Sequence, residues 1–357
     1  MLVTGQMLRD ARVAANVSLR EMSKRIMLDK GYLSRVETAP AGKAAPDWIV
    51  DRYEEQLGVD IRRRTLLGGL AGTVVPGLVT DAVRRMFEDD VMPIGIDAWT
   101  ARMEQHAADC MTVGAAEMQS RIAADLIVLR PQLLSRQMWA IAARLMVLHG
   151  APLSDVADGQ ATARWYRAAV TAADRSDDTA TQVWVRGRSA LNMAHPTAAL
   201  SACEELAAAG SQISQASTVG RLMSLISLAN VHALNGDESA ARTALDDAQR
   251  VFDSVGTTDD VSDWAMPEWR MNVDISLVLA RLGDQTADRA QQEAERTMPG
   301  RFARYATHLE MHRGLALAKS GDRTEGVAHA RRALNDLSVD RHSVALRRLV
   351  AEVAACR

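Results

Sequence analysis

Four small or basic side chains between residues 30 and 35 have the types and spacing that suit contact with the edges of DNA bases. They are Lys30, Gly31, Ser34 and Arg35. Positions one, three and four apart lie on the same side of a helix, so these residues share a face near the helix N-terminus. Lysine and arginine donate hydrogen bonds to guanine, and serine bonds to several bases, so such a face suits a DNA major groove.

His308 and His312 are the pair whose spacing best suits a metal ion, because residues four apart share a helix face. Glu310 stands between them and not directly after His308, so it would point away from that face, and no third ligand is evident. The chain also lacks a Ser-His-Asp order, a phosphate-binding glycine loop and a dinucleotide-binding fingerprint. We therefore expect neither an enzyme nor a bound metal or cofactor.

A second group of polar residues interrupts the long apolar helices predicted in the C-terminal part. Asparagine offers a donor and an acceptor at neighbouring atoms, which suits a peptide backbone, and arginine suits a carboxylate. Taken singly, each residue is better explained as a satisfied buried amide or as a charge on a helix surface than as a ligand contact. Taken together they form a candidate ligand-binding lining, with Arg188 and Arg270 on the same helices: Arg186, Asn192, Arg221, Asn230, Asn272 and Arg304.

The elements that position the base-reading face are two short helices joined by a tight turn across residues 18–37. Ser18 and Glu21 form an S-x-x-E capping box, which predicts a helix starting at Ser18. Asp29 is placed to cap a second helix over residues 30–37. Apolar residues follow both caps at helical spacing, so we expect the two helices to pack against each other.

The stretches on either side complete a domain of about 60 residues. GQMLRDARVAAN has apolar residues at helical spacing, and PDWIVDRYEEQLG has proline in its first turn and glycine at its end. In this order, GQMLRDAR, SLREMSKRI, DKGYLSRVE and LGVD resemble the XRE family, the lambda-repressor-like helix-turn-helix. The family usually has glycine in the interhelical turn, where this chain has Met27, so either Met27 is left-handed or the turn differs.

This resemblance implies roles for individual residues. Arg12 and Glu37 match positions that form a buried ion pair in the family, so they are expected to be structural. The family also implies a double-stranded DNA operator as partner, and we expect a homodimer because one small head binds weakly. The implied DNA-contacting set, with the first two beside phosphates, is Leu19, Arg20, Lys30, Gly31, Tyr32, Ser34 and Arg35.

Charge and cysteine content agree with a separate N-terminal domain. Residues 1–64 hold 12 Lys and Arg against 9 Asp and Glu, whereas the whole chain holds 42 against 45, so only the N-terminal part favours a polyanion. Cys110, Cys203 and Cys356 are odd in number and widely separated, which predicts a reducing compartment without disulfides. We expect a cytoplasmic protein without a signal peptide.

Residues 61–96 are predicted to be a linker or packing segment. The run RRRTLLGGLAG, from Arg62, superficially resembles a twin-arginine export signal or a membrane segment. Its apolar stretch is short and is interrupted by several glycines and by Pro76, so we expect no membrane partner. The predicted domains are therefore 1–60 for DNA binding and 97–357 for signal binding and dimerisation.

From about residue 97 the sequence predicts paired amphipathic helices separated by recurring turn signals such as Gly236-Asp237, Gly283-Asp284 and Gly321-Asp322. A long apolar helix precedes each of these turns, and a helix with small residues at close-approach positions follows it. The units resemble tetratricopeptide (TPR) repeats, although only Trp165-Tyr166 retains a trace of the family's aromatic signature. The predicted fold class is all-α, an N-terminal helix-turn-helix domain followed by a TPR-like α-solenoid.

An array of this kind has a concave face, lined by the first helix of each pair, that binds extended peptides or partner helices. The combination of an XRE-type head with a TPR-like array resembles the RRNPP peptide-pheromone receptors. That resemblance implies a transcriptional regulator whose signal is a short peptide, as in quorum sensing. Three alternatives stay open: a protein partner in the groove, a small-molecule ligand there, or a TPR scaffold without DNA binding.

Overall fold

The computed structural model describes residues 3–14, 17–39, 45–57, 94–110, 112–151, 159–195, 199–256, 262–300, 302–338 and 342–356. Within these ranges the regular structure is helical, with 17 α-helices and one 3-10 turn. The chain divides into two compact units, Met1–Val79 and Thr80–Arg357. The predicted segment 61–96 lies almost wholly outside the described residues. No helix within the described ranges is both long and apolar enough to cross a membrane.

The N-terminal unit contains four short helices around one apolar core. They are α1 (Gly5–Ala14), α2 (Leu19–Arg25), α3 (Lys30–Glu37) and α4 (Asp47–Leu57). Both predicted caps are confirmed: Ser18 Oγ accepts from the Glu21 N–H at 3.1 Å, and Asp29 Oδ1 accepts from the Tyr32 N–H at 2.9 Å. The side chains at the centre of the core are fully buried: Leu8, Met22, Leu33, Ile49, Val50 and Tyr53.

Arg12 and Glu37 form the predicted buried ion pair between α1 and α3. Arg12 Nε and Nη2 donate to the two Glu37 carboxylate oxygens, each at 2.7 Å, and Arg12 Nη1 donates to the Val17 carbonyl at 2.8 Å. The Tyr53 hydroxyl donates to Glu37 Oε1 at 2.8 Å, which brings α4 into the same network. Since the pair is bidentate and its remaining atoms are bonded, it fixes how α1, α3 and α4 pack.

The turn between α2 and α3 places Met27 in the left-handed region, with φ at 53°. Its side chain points to solvent and is 81% exposed. Two hydrogen bonds close the turn around it: the Leu28 N–H donates to the Ser23 carbonyl at 3.0 Å, and Ser23 Oγ donates to the Leu28 carbonyl at 2.6 Å. Met27 is therefore left-handed, the first of the two predicted alternatives, at some cost in backbone strain.

The C-terminal unit is an α-solenoid of stacked helix pairs, as predicted. Its helices are α5 (Ile96–Asp109), α6 (Ala115–Leu129), α7 (Arg136–Gly150), α8 (Gly159–Ser176), α9 (Thr179–Met193), α10 (Leu200–Ile213), α11 (Val219–Asn235), α12 (Glu238–Val255), α13 (Glu268–Leu282), α14 (Ala287–Thr297), α15 (Ala303–Lys319), α16 (Arg323–Asp336) and α17 (Val344–Ala355). From α7 onward the odd-numbered helices pack side by side in one layer, and each also packs on the even-numbered helix that follows it.

The turns within the pairs form where glycine and aspartate were read as signals. Gly236 and Gly283 end α11 and α13 with φ at 77° and 70°, values that glycine adopts without strain. Asp237 Oδ1 then accepts from the Ala240 N–H at 3.0 Å and caps α12. At Gly236-Asp237 a left-handed glycine followed at once by a capping aspartate reverses the chain in two residues. After Gly283, Asp284 Oδ1 accepts from the Thr286 N–H at 2.8 Å, and α14 begins at Ala287.

The connector between α12 and α13, described over residues 262–267, breaks the repeat pattern by folding onto the layer of first helices. The Asp263 N–H donates to the Ala107 carbonyl of α5 at 3.0 Å. The Trp264 ring meets the Trp184 ring of α9 edge-on, with centroids 4.4 Å apart. The connector therefore links helices that are far apart along the array.

Candidate functional site

The N-terminal unit exposes the face of α3 that was predicted to read bases. Lys30, Gly31 and Arg35 are exposed, and Ser34 is partly exposed. The opposite side of α3 enters the core through Leu33, which is fully buried. The Asp29 cap holds the first turn of α3 in place at the end where the candidate residues lie. The geometry thus presents small and basic groups on a fixed helix.

The cations of this face have no ion-pair partner among the described residues. Arg20 at the start of α2, with Lys30 and Arg35 on α3, is exposed and unpaired. The neighbouring acid Glu21 already accepts from Arg25 at 2.5 Å, and Asp29 is engaged as a helix cap. Leu19 and Tyr32 are partly buried and pack on the core, so their exposed atoms flank the charged groups. The face therefore has basic charge available for an anionic partner.

The solenoid contains a cavity of about 210 Å³ on the side formed by its first helices. The cavity lies wholly within the C-terminal unit. Its polar lining comes from α9, α11, α13, α15 and the connector: Arg188, Asn192, His195, Asn230, Asp263, Arg270, Asp274, Arg304, Tyr305, His308 and His312. Its apolar lining includes Val113, Met118, Leu148, Leu191, Val273 and Leu277. A small cavity with this mixture of surfaces suits a small polar ligand or one end of a larger one.

A buried charge cluster forms one wall of the cavity. Asp263 is fully buried, and its carboxylate accepts from Arg188 Nε at 2.7 Å and from Arg270 Nη2 at 3.4 Å. Burial by itself raises the pKa of Asp263, but Arg188 and Arg270 outweigh that effect and hold the pKa below its ordinary value. Arg270 Nη1 also donates to the Ala265 carbonyl at 3.1 Å, so the connector is bound by two arginines.

Asp274 and Arg304 are the two charged groups of the cavity that lack a partner. Asp274 Oδ2 is buried without a hydrogen bond among the described residues, and burial raises the pKa of Asp274 to about 6 despite Arg270 and Arg188. The Arg304 guanidinium lies over the ring of the adjacent Tyr305, 5.8 Å from its centroid, and forms no hydrogen bond or ion pair with the described residues. The cavity therefore presents one acceptor group and one donor group that the described part of the fold leaves without hydrogen bonds.

One buried histidine, His312, and two partly buried ones, His195 and His308, add neutral polar groups to the cavity. Burial, aided by nearby arginines, lowers the pKa of His195 and of His308 to about 3 and also lowers the pKa of His312. His195 Nδ1 and His312 Nε2 have no hydrogen-bond partner among the described residues. Within the described part of the chain, no group of three or more histidine, cysteine or acidic residues is arranged to hold a metal ion.

Three of the six residues predicted to bind a ligand line this cavity, namely Asn192, Asn230 and Arg304. The amides of the two asparagines are already engaged. Asn192 donates to the Tyr166 hydroxyl at 2.8 Å and accepts from Arg188, and Asn230 donates to the Ile226 carbonyl and accepts from Arg281. Of the three, only Arg304 has its hydrogen-bonding groups free.

The other three predicted residues, Arg186, Arg221 and Asn272, are absent from the cavity lining. Arg186 donates to both carboxylate oxygens of Asp174. Arg221 donates to Gln215, and Asn272 donates to the Glu268 carbonyl. Their helix faces explain this, since a helix advances 100° per residue. Arg186 and Asn272 are each two residues from a lining arginine and so point to another side.

Most of the cavity lining was not predicted from the sequence, although the spacing of some lining residues indicates a shared helix face. Arg304, His308 and His312 stand four residues apart in turn, as do Arg270 and Asp274, which marks one face of each helix. Asp263 carried no such signal because the connector has no repeat periodicity. Comparison with models of known protein families, with curated proteins and with solved structures gave no match to this chain.

Proposed function

We propose that this protein is a sequence-specific DNA-binding transcriptional regulator whose solenoid cavity receives a signal. The observation that carries the proposal is the outer face of the helix pair, where three cations have no ion-pair partner in the part of the chain that the structure describes. Arg20, Lys30 and Arg35 are exposed on α2 and α3, while the neighbouring acids are bound elsewhere. A capped helix with unpaired basic groups at its N-terminal half suits a major groove.

In this proposal α3 enters the major groove and α2 lies along the phosphates. Lys30, Gly31, Ser34 and Arg35 contact base edges, and Tyr32 lies beside them. Leu19 and Arg20 position the head, because the start of α2 would face the sugar-phosphate backbone. The buried Arg12 has no role in contact, since its donors are used inside the fold.

Met27 in the turn between α2 and α3 was one reason to consider a scaffold that has lost DNA binding. The turn closes in spite of that substitution, and α3 keeps its exposed face. The regulator is therefore the better-supported reading. A homodimer on a palindromic site remains part of the proposal, because two heads give the affinity that one mildly basic head lacks.

The test begins with selection of bound duplexes from a random library by the full chain. Fluorescence anisotropy then measures the affinity for the selected duplex and for scrambled duplexes at several salt concentrations. Arg35→Ala should lose roughly 1–3 kcal/mol of affinity for the selected duplex and discriminate less at one base step. Arg20→Ala should weaken binding to every duplex and reduce the salt slope by about 1.

Arg52→Ala is the matched control, because Arg52 is also exposed and unpaired but lies on α4. It should bind the selected duplex within twofold of the wild type. Enrichment of no sequence, or equal binding of Arg35→Ala and wild type to all duplexes, would reject the proposal.

A further inference from the structure

The cavity presents unpartnered groups of two opposite kinds. Among the described residues, Asp274 Oδ2 is a buried acceptor without a donor, and the Arg304 guanidinium donates to no acceptor. A buried polar group without a partner destabilises a fold, so a bound molecule that supplies both partners would be strongly favoured. The two groups together require a ligand that carries both a hydrogen-bond donor for Asp274 and an acceptor for Arg304.

The hydrogen bonds of His312 add a second acceptor. Ser276 Oγ lies 2.8 Å from the Val273 carbonyl oxygen and 2.6 Å from His312 Nδ1. We assign the single serine proton to the carbonyl, so that His312 donates from Nδ1–H to Ser276 Oγ. In a neutral imidazole the other nitrogen is then an acceptor. His312 Nε2 is buried and unpartnered. The cavity therefore needs hydrogen-bond donors near Asp274 and His312 and an anion near Arg304.

The volume limits the size of the occupant. A cavity of about 150 Å³ holds benzene, so about 210 Å³ accommodates roughly eight to ten non-hydrogen atoms. That is the size of one amino acid and much less than a peptide of several residues. The apolar wall, which includes Met118, Leu148, Leu191 and Leu277, suits an aliphatic or aromatic side chain.

We propose that the cavity binds an α-carboxylate together with its neighbouring N–H group, as found in a free amino acid or in the C-terminal residue of a short peptide. Arg304 receives the carboxylate, because arginine binds carboxylates in a bidentate manner. Asp274 and His312 accept from the adjacent nitrogen, and the apolar wall holds the side chain. The inference rests on the proposed role of the cavity as the signal site and names the chemistry of the signal.

Three probe mixtures distinguish the sources of this chemistry. They are the 20 free amino acids, N-acetylated random tripeptides with a free carboxylate, and the same tripeptides with an amidated C-terminus. The melting temperature of the full chain is measured with each mixture, and calorimetric titration follows for those that raise it. Binding of the first mixture identifies a free amino acid, and binding of the second identifies a peptide end. The amidated mixture should leave the melting temperature unchanged.

Arg304→Gln tests the assigned counter-ion with little effect on the fold, because among the described residues Arg304 loses only its contact with the Tyr305 ring and no hydrogen bond or ion pair. It should weaken carboxylate binding at least tenfold. The matched control is Arg331→Gln, since Arg331 is an exposed and unpaired arginine on α16, outside the cavity. Its affinity should stay within twofold of the wild type.

Three results would overturn the inference: no free-carboxylate probe binds, the amidated mixture binds as well as the acid, or Arg304→Gln binds as the wild type does. None of these results depends on DNA. Failure of the duplex selection would therefore refute the regulator proposal while leaving this one standing, and the reverse also holds.

Discussion

The buried network of Arg12, Glu37 and Tyr53 allows a quantitative prediction for the N-terminal unit. Replacing Arg12 with Met removes three donors at once, two from the Glu37 carboxylate and one from the Val17 carbonyl. Glu37 is only 3% exposed, so its carboxylate is left with Tyr53 alone and little water. An unpaired buried charge of this kind costs about 3–5 kcal/mol.

That loss is comparable with the whole stability of the unit. A unit spanning Met1–Val79 is expected to unfold with about 4–12 kcal/mol, at roughly 0.05–0.15 kcal/mol per residue. Adding Glu37→Leu to Arg12→Met removes the stranded charge and leaves only the Tyr53 hydroxyl and the Val17 carbonyl without partners. The double variant should therefore lose only about 1–3 kcal/mol. The coupling free energy between the two substitutions should be at least about 2 kcal/mol.

Urea unfolding of the fragment 1–79 measures these values. Trp48 is its only tryptophan and lies on α4, so its fluorescence reports on this unit alone. The control is a parallel cycle with Glu21→Gln and Arg25→Gln, because that pair is exposed on α2. Exposed pairs of this spacing couple by about 0.3–0.5 kcal/mol. Additivity of Arg12→Met and Glu37→Leu within 0.5 kcal/mol would refute the reasoning.

Three further substitutions test other features of the chain. Met27→Gly should stabilise fragment 1–79 by about 0.5–1 kcal/mol in urea, because glycine relieves the left-handed strain; a destabilised variant would contradict this. Gly5→Ala should cost about 3 kcal/mol or more in the same assay, since its Cβ would lie 1.8 Å from the Val36 carbonyl oxygen; a wild-type midpoint would show that α1 and α3 can separate. Asp274→Asn should raise the stability of the full chain at pH 7 by roughly 1–2 kcal/mol and leave it unchanged near pH 3.5. Because the pKa of Asp274 is raised from 3.8 to about 6, protonated Asp274 stabilises the fold fully below pH 3.8, and this stabilisation is lost as the pH rises through 6. Equal differences in melting temperature between the variant and the wild type at pH 3.5 and pH 7 would contradict this prediction.

The sequence was sufficient for the N-terminal unit because local signals there coincide with the packing. Ser18 and Asp29 are capping residues with few other uses at those positions, and each caps the predicted helix. Even the conflict at Met27 was visible in advance, since the turn requires a conformation that glycine favours. Glycine followed by aspartate predicted the solenoid turns because glycine favours the left-handed conformation and aspartate can cap a helix.

The cavity was less predictable because its lining depends on helix rotation and on a segment without periodicity. A polar residue in an apolar helix identifies the helix but not the side to which it points. The predicted ligand-binding set therefore includes Asn272 and Arg221, which lie outside the cavity, together with Asn230, which lines it. Asp263 binds Arg188 and Arg270 across long sequence separations, and no local pattern records such a contact. The asparagines that do reach the cavity proved to be bonded within the fold.

The connector has a consequence for how the solenoid folds. In a repeat array each unit normally contacts only its neighbours, so the ends can unfold independently and nucleation can begin anywhere. Here Asp263 joins Ala107 of α5, Arg188 of α9 and Arg270 of α13 in one buried cluster. These contacts form only after a long stretch of chain has been brought together, which raises the contact order and slows folding. Once formed, they tie early and late repeats into a single cooperative block, so the middle of the array is expected to resist local opening.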